Sequence, residues 1–272
     1  MQDHITHPCF DSRDHFLYGR IHLPVAPNCN IKCGYCVRKF DCFNESKPGV
    51  TSRVIKANGA VERVGEAIYT DARIRVVGIA GPGEPLANPE TFKTLEMVHY
   101  AFPELTLCIS TNGLLLPDFA EFLASLGVRT LTVTINAAKV STALKIYRMI
   151  GNSPVTEELC RNFLKSQLEG LRIAAGLGMI IKINTVLIPA VNSDEINEIA
   201  LKAKQNGAVL MNIIPLIPQG DFSSRLPPSQ KMLCGCQDQA EGILPQFRLC
   251  RQCRADAVGV PGEYDHILCG KK

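Results

Sequence analysis

Short apolar runs rich in β-branched residues alternate along this chain with longer amphipathic stretches. Such runs predict buried strands, whereas apolar side chains spaced three and four residues apart predict helices. The stretch from 154 to about 176 has the helical spacing, with Leu159, Phe163 and Leu171 on one face. The pattern therefore predicts strands separated by helices. The six candidate strands are "RIHLPVA" from residue 20, "RVVGIAG" from 75, "LTLCIS" from 105, "RTLTVTIN" from 129, "MIIKINTVLI" from 179 and "AVLMNIIPLI" from 208.

This alternation predicts an α/β fold with parallel strands joined by right-handed crossovers. A closed barrel of this kind has eight strand-helix units, and the chain offers six strand candidates. We therefore expect a partial (β/α)6 barrel over residues 20–218. Residues 1–19 should form an N-terminal extension. Residues 219–272, with a helix near 228–243, should form a C-terminal tail that folds across the barrel mouth.

Composition narrows the class of protein. With 272 residues, of which 46% are hydrophobic and 20% charged, the chain can bury a substantial core. A net charge of +3 without a long run of Lys or Arg gives no support for nucleic-acid binding. The first residues lack a secretory signal, and no apolar run approaches the length of a membrane span. We expect a cytoplasmic protein that binds neither nucleic acid nor membrane.

Twelve cysteines are many for such a protein, and we interpret them as metal ligands or reactive thiols because intracellular thiols are kept reduced. Cys29, Cys33 and Cys36 follow the first predicted strand. Random placement would give this spacing only ~0.02 times in such a chain. Zinc sites usually draw on two paired ligand groups, whereas a four-iron cluster on three thiolates leaves one iron open. The spacing favours such a cluster.

Glycine-rich and polar segments follow the other predicted strands. "GPGEP" at 81–85 follows the second strand and "STNG" at 110–113 the third, while Asn136 and Asn184 lie at or within the next two. Each segment alone is typical of an ordinary turn. Because the carboxyl ends of parallel strands meet at one rim, we expect these segments and the three thiols to form one site.

The motif "CNIKCGYC" resembles the signature of the radical S-adenosylmethionine (SAM) superfamily. The resemblance implies a [4Fe-4S] cluster on Cys29, Cys33 and Cys36 whose open iron binds SAM. It also implies reductive cleavage of SAM to methionine and a 5'-deoxyadenosyl radical. Since SAM is a sulfonium with a zwitterionic methionine, carbonyls and small polar side chains suit it. The residues that would surround SAM are Tyr35, Gly81, Gly83, Glu84, Ser110, Thr111, Asn112, Asn136 and Asn184.

Four further strings resemble the NifB family of nitrogenase cofactor biosynthesis enzymes. They are "HPC" at 7, "FDCFNESKPGV" at 40, "GIAGPGEPLANPETF" at 78 and "CRQCRADAVG" at 250. The resemblance runs from about residue 7 to 262. It implies fusion of two [4Fe-4S] clusters with insertion of a SAM-derived carbide and a ninth sulfur, which gives the eight-iron precursor of the nitrogenase cofactor.

The same resemblance assigns two substrate-cluster sites. His22, Cys42 and Cys108 would ligate one cluster, and the second would bind to three cysteines from the two ends of the chain. His22 would be the releasable ligand, because neutral imidazole binds iron less firmly than thiolate. Glu45 would be a transient polar contact, although a solvated loop carboxylate is the alternative. The ligands of the second cluster would be Cys9, Cys250 and Cys253.

The resemblance also implies partners. These are a cluster donor, an electron donor such as a ferredoxin or flavodoxin, and a downstream cofactor carrier or scaffold protein. The chain stops at Lys272, so we expect no NifX-like domain. Among the other thiols, Cys160 should be buried, Cys234 and Cys236 are possible spare ligands, and Cys269 should be a free thiol.

Two alternatives stay open. One is another radical SAM enzyme with auxiliary iron-sulfur clusters, such as a peptide maturase, which the "CRQC" pair in the tail also fits. The other is a non-catalytic iron-sulfur or zinc protein, in which the thiols serve electron transfer or structure. The alternative radical SAM enzyme gives no role to Cys9 or His22. The non-catalytic protein gives "GPGEP" and "STNG" no role other than that of turns.

Overall fold

A computed structural model of the chain describes residues 5–37, 45 and 47–263. Strands and helices alternate along this part of the chain. The strands are β1 (Gly19–His22), β2 (Ile31–Cys33), β3 (Ile74–Ile79), β4 (Thr106–Thr111), β5 (Val128–Thr134), β6 (Tyr147–Ile150), β7 (Ser153–Pro154), β8 (Ile180–Leu187), β9 (Leu210–Pro215) and β10 (Val258–Gly259). The helices are α1 (Ala57–Thr70), α2 (Pro89–Ala101), α3 (Leu116–Ser125), α4 (Val140–Ile146), α5 (Glu157–Gly176), α6 (Ile196–Gln205) and α7 (Gln230–Glu241).

The main sheet has seven strands in the order β10-β1-β3-β4-β5-β8-β9. All neighbours from β1 to β9 in this order are parallel, and only β10 runs antiparallel, against β1. The six parallel strands are the six candidates read from the sequence. The sheet curls into a half-barrel with helices against it, which confirms the predicted partial barrel.

Side-chain alternation determines which face of the sheet packs against the helices and which face lines the cavity. On β5 and β8 the apolar residues Leu131, Val133 and Ile183 belong to the core between sheet and helices. Their neighbours Thr132 and Lys182 line the interior of the half-barrel. Because successive side chains of a strand point to opposite faces, this alternation seals the outer face with helices and leaves a polar inner wall.

The helices follow from capping and periodicity. Helix α5 begins after Thr156, whose side chain accepts a hydrogen bond from the backbone N–H of Leu159 at 3.2 Å. Its buried face includes Phe163 and Leu171, as the helical spacing predicts. The helix expected near 228–243 is α7.

The sequence analysis did not predict the small second sheet or the last strand, β10. Strands β2, β6 and β7 form a separate three-stranded antiparallel sheet, and strands this short carry no readable alternation. The tail returns to the edge of the main sheet, where β10 pairs with β1 and the N–H of His22 donates to the carbonyl of Ala257 at 2.8 Å.

No helix in the part of the chain that the structure describes combines the length and the apolar composition needed to cross a bilayer.

Candidate active site

The half-barrel encloses a cavity of about 350 Å³. Its wall is built from the N-terminal extension, the carboxyl ends of the parallel strands and the tail. Eight of the predicted metal ligands contribute to this wall. They are Cys9, His22, Cys29, Cys33, Cys36, Cys108, Cys250 and Cys253.

The three-thiol loop is held by the small sheet and by a tyrosine. The N–H of Gly34 donates to the carbonyl of Ile146 at 2.8 Å. The hydroxyl of Tyr35 hydrogen-bonds Cys33 and accepts a hydrogen bond from Asn136 Nδ2 at 2.7 Å. The loop is therefore fixed to the end of helix α4 on one side and to the segment after strand β5 on the other.

The "GPGEP" segment lies against the backbone that leads into the three-thiol loop. The N–H of Gly83 donates to the carbonyl of Ala26 at 2.6 Å, and the N–H of Glu84 donates to that of Asn28 at 2.7 Å. A Cβ on Gly83 would collide with the carbonyl of Asn28, so only glycine permits this approach. Gly83 lines the cavity, whereas Gly81, at φ +137°, shapes the turn before it.

Glu84 organises the adjacent "STNG" segment. Its buried carboxylate accepts hydrogen bonds from Thr111 Oγ1 at 2.5 Å, from the N–H of Asn112 at 2.7 Å and from the N–H of Leu86 at 3.1 Å. Burial raises the pKa of Glu84 to about 7, against the lowering effect of these three donors. Its structural role is to join two rim segments.

Three more of the predicted SAM contacts line the same cavity. Asn136 is buried, and its Oδ1 accepts from the N–H of Val186 at 2.9 Å. The Oδ1 of Asn184 accepts from Asn212 Nδ2 at 3.0 Å. Ser110 lies on β4, in register with Thr132 on β5. The predicted contacts therefore share one chamber, and their roles toward SAM stay predictions.

His22 is oriented by the tail. Its Nδ1 donates to the carbonyl of Arg254 at 3.0 Å, which leaves Nε2 as the nitrogen with a free lone pair. Burial and the neighbouring Arg20 lower the pKa of His22 to about 4, so the ring is neutral at pH 7. The ring packs on Gly78, where a Cβ would come within 3.0 Å of it. A neutral imidazole held this way suits metal ligation.

The two ends of the chain bring three thiols together. Cys253 Sγ accepts a hydrogen bond from Arg20 Nη2 at 2.8 Å. Burial, with a smaller effect of the nearby Cys253 and Cys250, raises the pKa of Cys9 to about 12 against the lowering effect of Lys182 and Arg20. The geometry thus places Cys9 beside the pair from the tail, as a shared cluster requires.

Some predicted residues lie elsewhere. Cys42 is outside the described residues. Glu45 forms an ion pair with Lys47 at 3.4 Å, and Arg254 donates to its backbone carbonyl. Lys47 lines the cavity, whereas Glu45 is not among the lining residues. Its catalytic role stays a prediction.

The spare thiols that the structure describes do not line the cavity. Cys234 and Cys236 lie on α7, where Cys234 accepts a hydrogen bond from Gln230 Nε2 at 3.3 Å. Cys160 is fully buried in α5, as expected. Of the cysteines in the tail that the structure describes, Cys250 and Cys253 therefore suit the site best. Cys269 is outside the described residues.

The donor set suits clusters better than single ions. In residues 5–37, 45 and 47–263, no group of three His, Cys, Asp or Glu is arranged to hold one metal ion. A four-iron cluster binds each thiolate at a different iron, so its ligands stand farther apart than those of one ion. Cys29, Cys33 and Cys36 on one loop, beside the backbone cradle that Gly83 permits, fit a three-thiolate cluster with bound SAM.

Sequence reasoning missed two residues that line the chamber and one that contacts a lining thiol. Lys182 lines the cavity from β8, Arg20 donates to Cys253, and Gly78 makes room for the ring of His22. Only Lys182 carried a readable signal, because the alternation in "IIKIN" places it on the same face as Asn184.

Comparison with known proteins agrees with this arrangement. The family model described as the radical SAM superfamily matches residues 23–203. A FeMo cofactor biosynthesis protein NifB of Methanocaldococcus infernus is 44% identical over 260 residues, which are 94% of this chain and 85% of that protein. The NifB protein of Klebsiella pneumoniae is 40% identical over 268 residues, 95% of this chain and 57% of that protein. The chain thus spans little more than half the length of such bacterial relatives.

Solved structures share the fold at low sequence identity. Streptococcus suis SuiB superposes with a TM-score of 0.61 at 14% identity, covering 84% of this chain and 49% of that one. Methylornithine synthase (PylB) superposes with a TM-score of 0.51 at 15% identity, covering 77% and 56%. A half-barrel with a three-cysteine loop at its rim defines a protein of the radical SAM superfamily. Within that superfamily, the chain belongs to the NifB family of FeMo cofactor biosynthesis proteins.

Proposed function

We propose that the chain is a radical SAM enzyme that fuses two [4Fe-4S] clusters around a carbide derived from SAM. With a ninth sulfur, the product would be the eight-iron precursor of the nitrogenase cofactor. The observation that carries this proposal is the convergence of eight Cys and His ligands from the N-terminal extension, the strand ends and the tail on one cavity.

Different residues of the chamber would have different roles. Cys29, Cys33 and Cys36 would hold the SAM cluster, which would supply the electron for reductive cleavage, while SAM would supply the methyl group and the 5'-deoxyadenosyl radical. Glu84 keeps the "STNG" segment in place, and Asn136 keeps Tyr35 against the three-thiol loop. The chemistry requires a radical to be kept from bulk water, and the wall of the half-barrel would shield it on the side of the sheet.

Two sets of ligands would hold the substrates. His22, Cys42 and Cys108 would bind one cluster, and three thiols from the chain ends the other. Three ligands per cluster leave one iron free to join its neighbour. His22 would be the ligand released with the product, and Glu45 a transient contact once it leaves Lys47. The thiols of the second set are Cys9, Cys250 and Cys253.

The proposed reaction needs partners beyond SAM. A cluster donor must supply both substrates, and an electron donor such as a ferredoxin or flavodoxin must reduce the SAM cluster. A carrier or scaffold protein in the nitrogenase pathway would take the product, all in the cytoplasm. Support for these partners comes from the family alone.

An anaerobic turnover experiment tests the proposal. The chain is loaded with iron and sulfide and then given SAM and dithionite. S-adenosylhomocysteine together with 5'-deoxyadenosine is the expected result, because one SAM gives its methyl group and a second gives the radical. Deoxyadenosine alone would indicate a different radical enzyme, such as a peptide maturase. Neither product, with the Cys33→Ala variant as the blank, would indicate a non-catalytic cluster protein.

A further inference from the structure

Lys182 is a buried lysine in the middle of the catalytic chamber. It lies on β8 with 5% of its surface exposed and lines the cavity. Its Nζ donates to the backbone carbonyl of Cys9 at 2.9 Å. The same Nζ lies 4.7 Å from the ring centroid of Phe10 and 5.4 Å from that of Phe247. The ammonium group is thus fixed in place by three neighbours.

Among the described residues, this ammonium group has no acidic partner. Within residues 5–37, 45 and 47–263, no carboxylate forms an ion pair with Lys182. Lys202, by contrast, donates to the carbonyl of Ala138 and pairs with Glu198 at 2.9 Å. A buried charge is costly unless an opposite charge accompanies it, and one carbonyl with two aromatic faces compensates only in part. Within the part of the chain that the structure describes, no carboxylate balances this charge, and an anion bound in the chamber would do so.

Lys182 lies between the two predicted substrate sites. On one side it contacts Cys9 directly. On the other side it is in register with Thr132, which is in register with Ser110, two residues after Cys108 on the same face of β4. The charge of Lys182 acts on both thiols, since it lowers the pKa of Cys9 and of Cys108 against the raising effect of burial.

Two thiolate-bound iron-sulfur clusters carry negative charge and repel each other. Repulsion is strong in a cavity of low dielectric, and a cation placed between the two clusters reduces it. We propose that Lys182 is a positioning residue that holds two anionic iron-sulfur substrates side by side at the junction of their sites. The inference rests on the proposed function, and it assigns to one side chain the task of countering the repulsion between the substrates.

Three substitutions separate charge from hydrogen bonding. Lys182→Met removes both, Lys182→Gln keeps a donor for the Cys9 carbonyl without charge, and Lys182→Arg keeps the charge. Lys202→Met serves as the matched control, since that lysine also donates to a carbonyl but lies away from the cavity. Each variant is reconstituted anaerobically, and iron content, thermal melting of the cluster-free chain and cluster midpoint potentials are measured.

We expect Lys182→Met and Lys182→Gln to lose roughly one third of about twelve irons per chain. The potential of the remaining substrate cluster should become more negative, since a nearby cation favours the reduced form. Cluster-free Lys182→Met should melt no lower than the parent chain, because an uncompensated buried charge has been removed. Lys182→Arg and Lys202→Met should retain the iron and the potentials.

Full iron content with unchanged potentials in both neutral variants would overturn the inference. The same holds if Lys182→Arg fails as badly as Lys182→Gln, because charge would then not be the relevant property. Failure of the proposed function itself looks different. In that case the parent chain, whatever its iron content, would fail to give S-adenosylhomocysteine together with 5'-deoxyadenosine.

Discussion

His22 and Cys108 occupy the same row of the main sheet, with only Gly78 between them. His22 is in register with Gly78 on the neighbouring strand, and Gly78 is in register with Cys108 on the next. Adjacent strands lie about 4.8 Å apart, so the two proposed ligands flank a gap that is two strand spacings wide. The absence of a side chain at Gly78 opens this gap.

Gly78→Ala should therefore impair loading of the cluster proposed for His22 and Cys108. The added methyl would come within 3.0 Å of the His22 ring and displace it. We expect a loss of about four irons per chain, measured by iron analysis and electron paramagnetic resonance. Gly59→Ala, where nothing lies within 4 Å, is the matched control and should keep all clusters. Equal iron in both variants would show that the gap is unimportant.

Glu84 should make the stability of the cluster-free chain depend on pH. Its pKa is about 7 in the folded state and 4.5 in the unfolded chain. Between these values the folded state holds a proton that the unfolded chain has released, so folding stability falls as pH rises through this window. Above pH 7 the loss is complete, and the free energy of unfolding is about 3 kcal/mol lower than below pH 4.5.

Denaturant unfolding of Glu84→Gln at several pH values tests this effect. The parent should lose stability from pH 4.5 to 7, whereas the variant should not, because glutamine does not titrate. The free energy of unfolding of the variant relative to the parent should therefore increase over this range. Glu198→Gln should show little change over this range and the opposite trend below pH 4.5, since Lys202 lowers the pKa of Glu198 and its stabilising effect is lost as pH falls. The effect there should be smaller because Glu198 is partly exposed. A parallel pH profile for the Glu84→Gln variant and the parent would contradict the account.

The choice between the two cysteine pairs of the C-terminal region can be tested directly. Cys253→Ala should cost about four irons per chain, because Cys253 faces the cavity beside Cys9. Cys234→Ala should retain all of the iron, since this thiol lies on α7 away from the cavity. Iron analysis after anaerobic desalting gives the answer. The reverse result would move the second substrate site to α7.

His22→Cys should slow release of the product. A thiolate binds iron more firmly than the neutral imidazole that Arg254 orients, so fusion can proceed while the product stays bound. Transfer of iron to a chelating acceptor after turnover measures release. Unchanged fusion and release would remove the reason for a histidine at this position.

Much of the fold was readable from the sequence, because strand and helix periods are local signals. The six parallel strands and the helices α5 and α7 follow from such patterns. The return of the tail does not, and was expected only because the family resemblance places Cys9 and the cysteines of the tail on one cluster. Strands β2, β6 and β7 were missed because two to four residues are too few for an alternation.

The chamber was readable only in part. The thiols of the "CNIKCGYC" loop and the polar strand ends share a rim because parallel strands end at one edge. Arg20 and Gly78 gave no signal, because their roles depend on register between strands and on the path of the tail. Contacts between distant parts of the chain cannot be seen in local periodicity.

The fate of the SAM methyl carbon tests the central claim most directly. The loaded chain is turned over anaerobically with SAM labelled with carbon-13 in its methyl group, and the cluster product is extracted and analysed for label and iron. We predict one labelled carbon, free of hydrogen, for about every eight irons. Label that stays in SAM or appears only as a methyl group, with no label in the extracted cluster, would contradict the account.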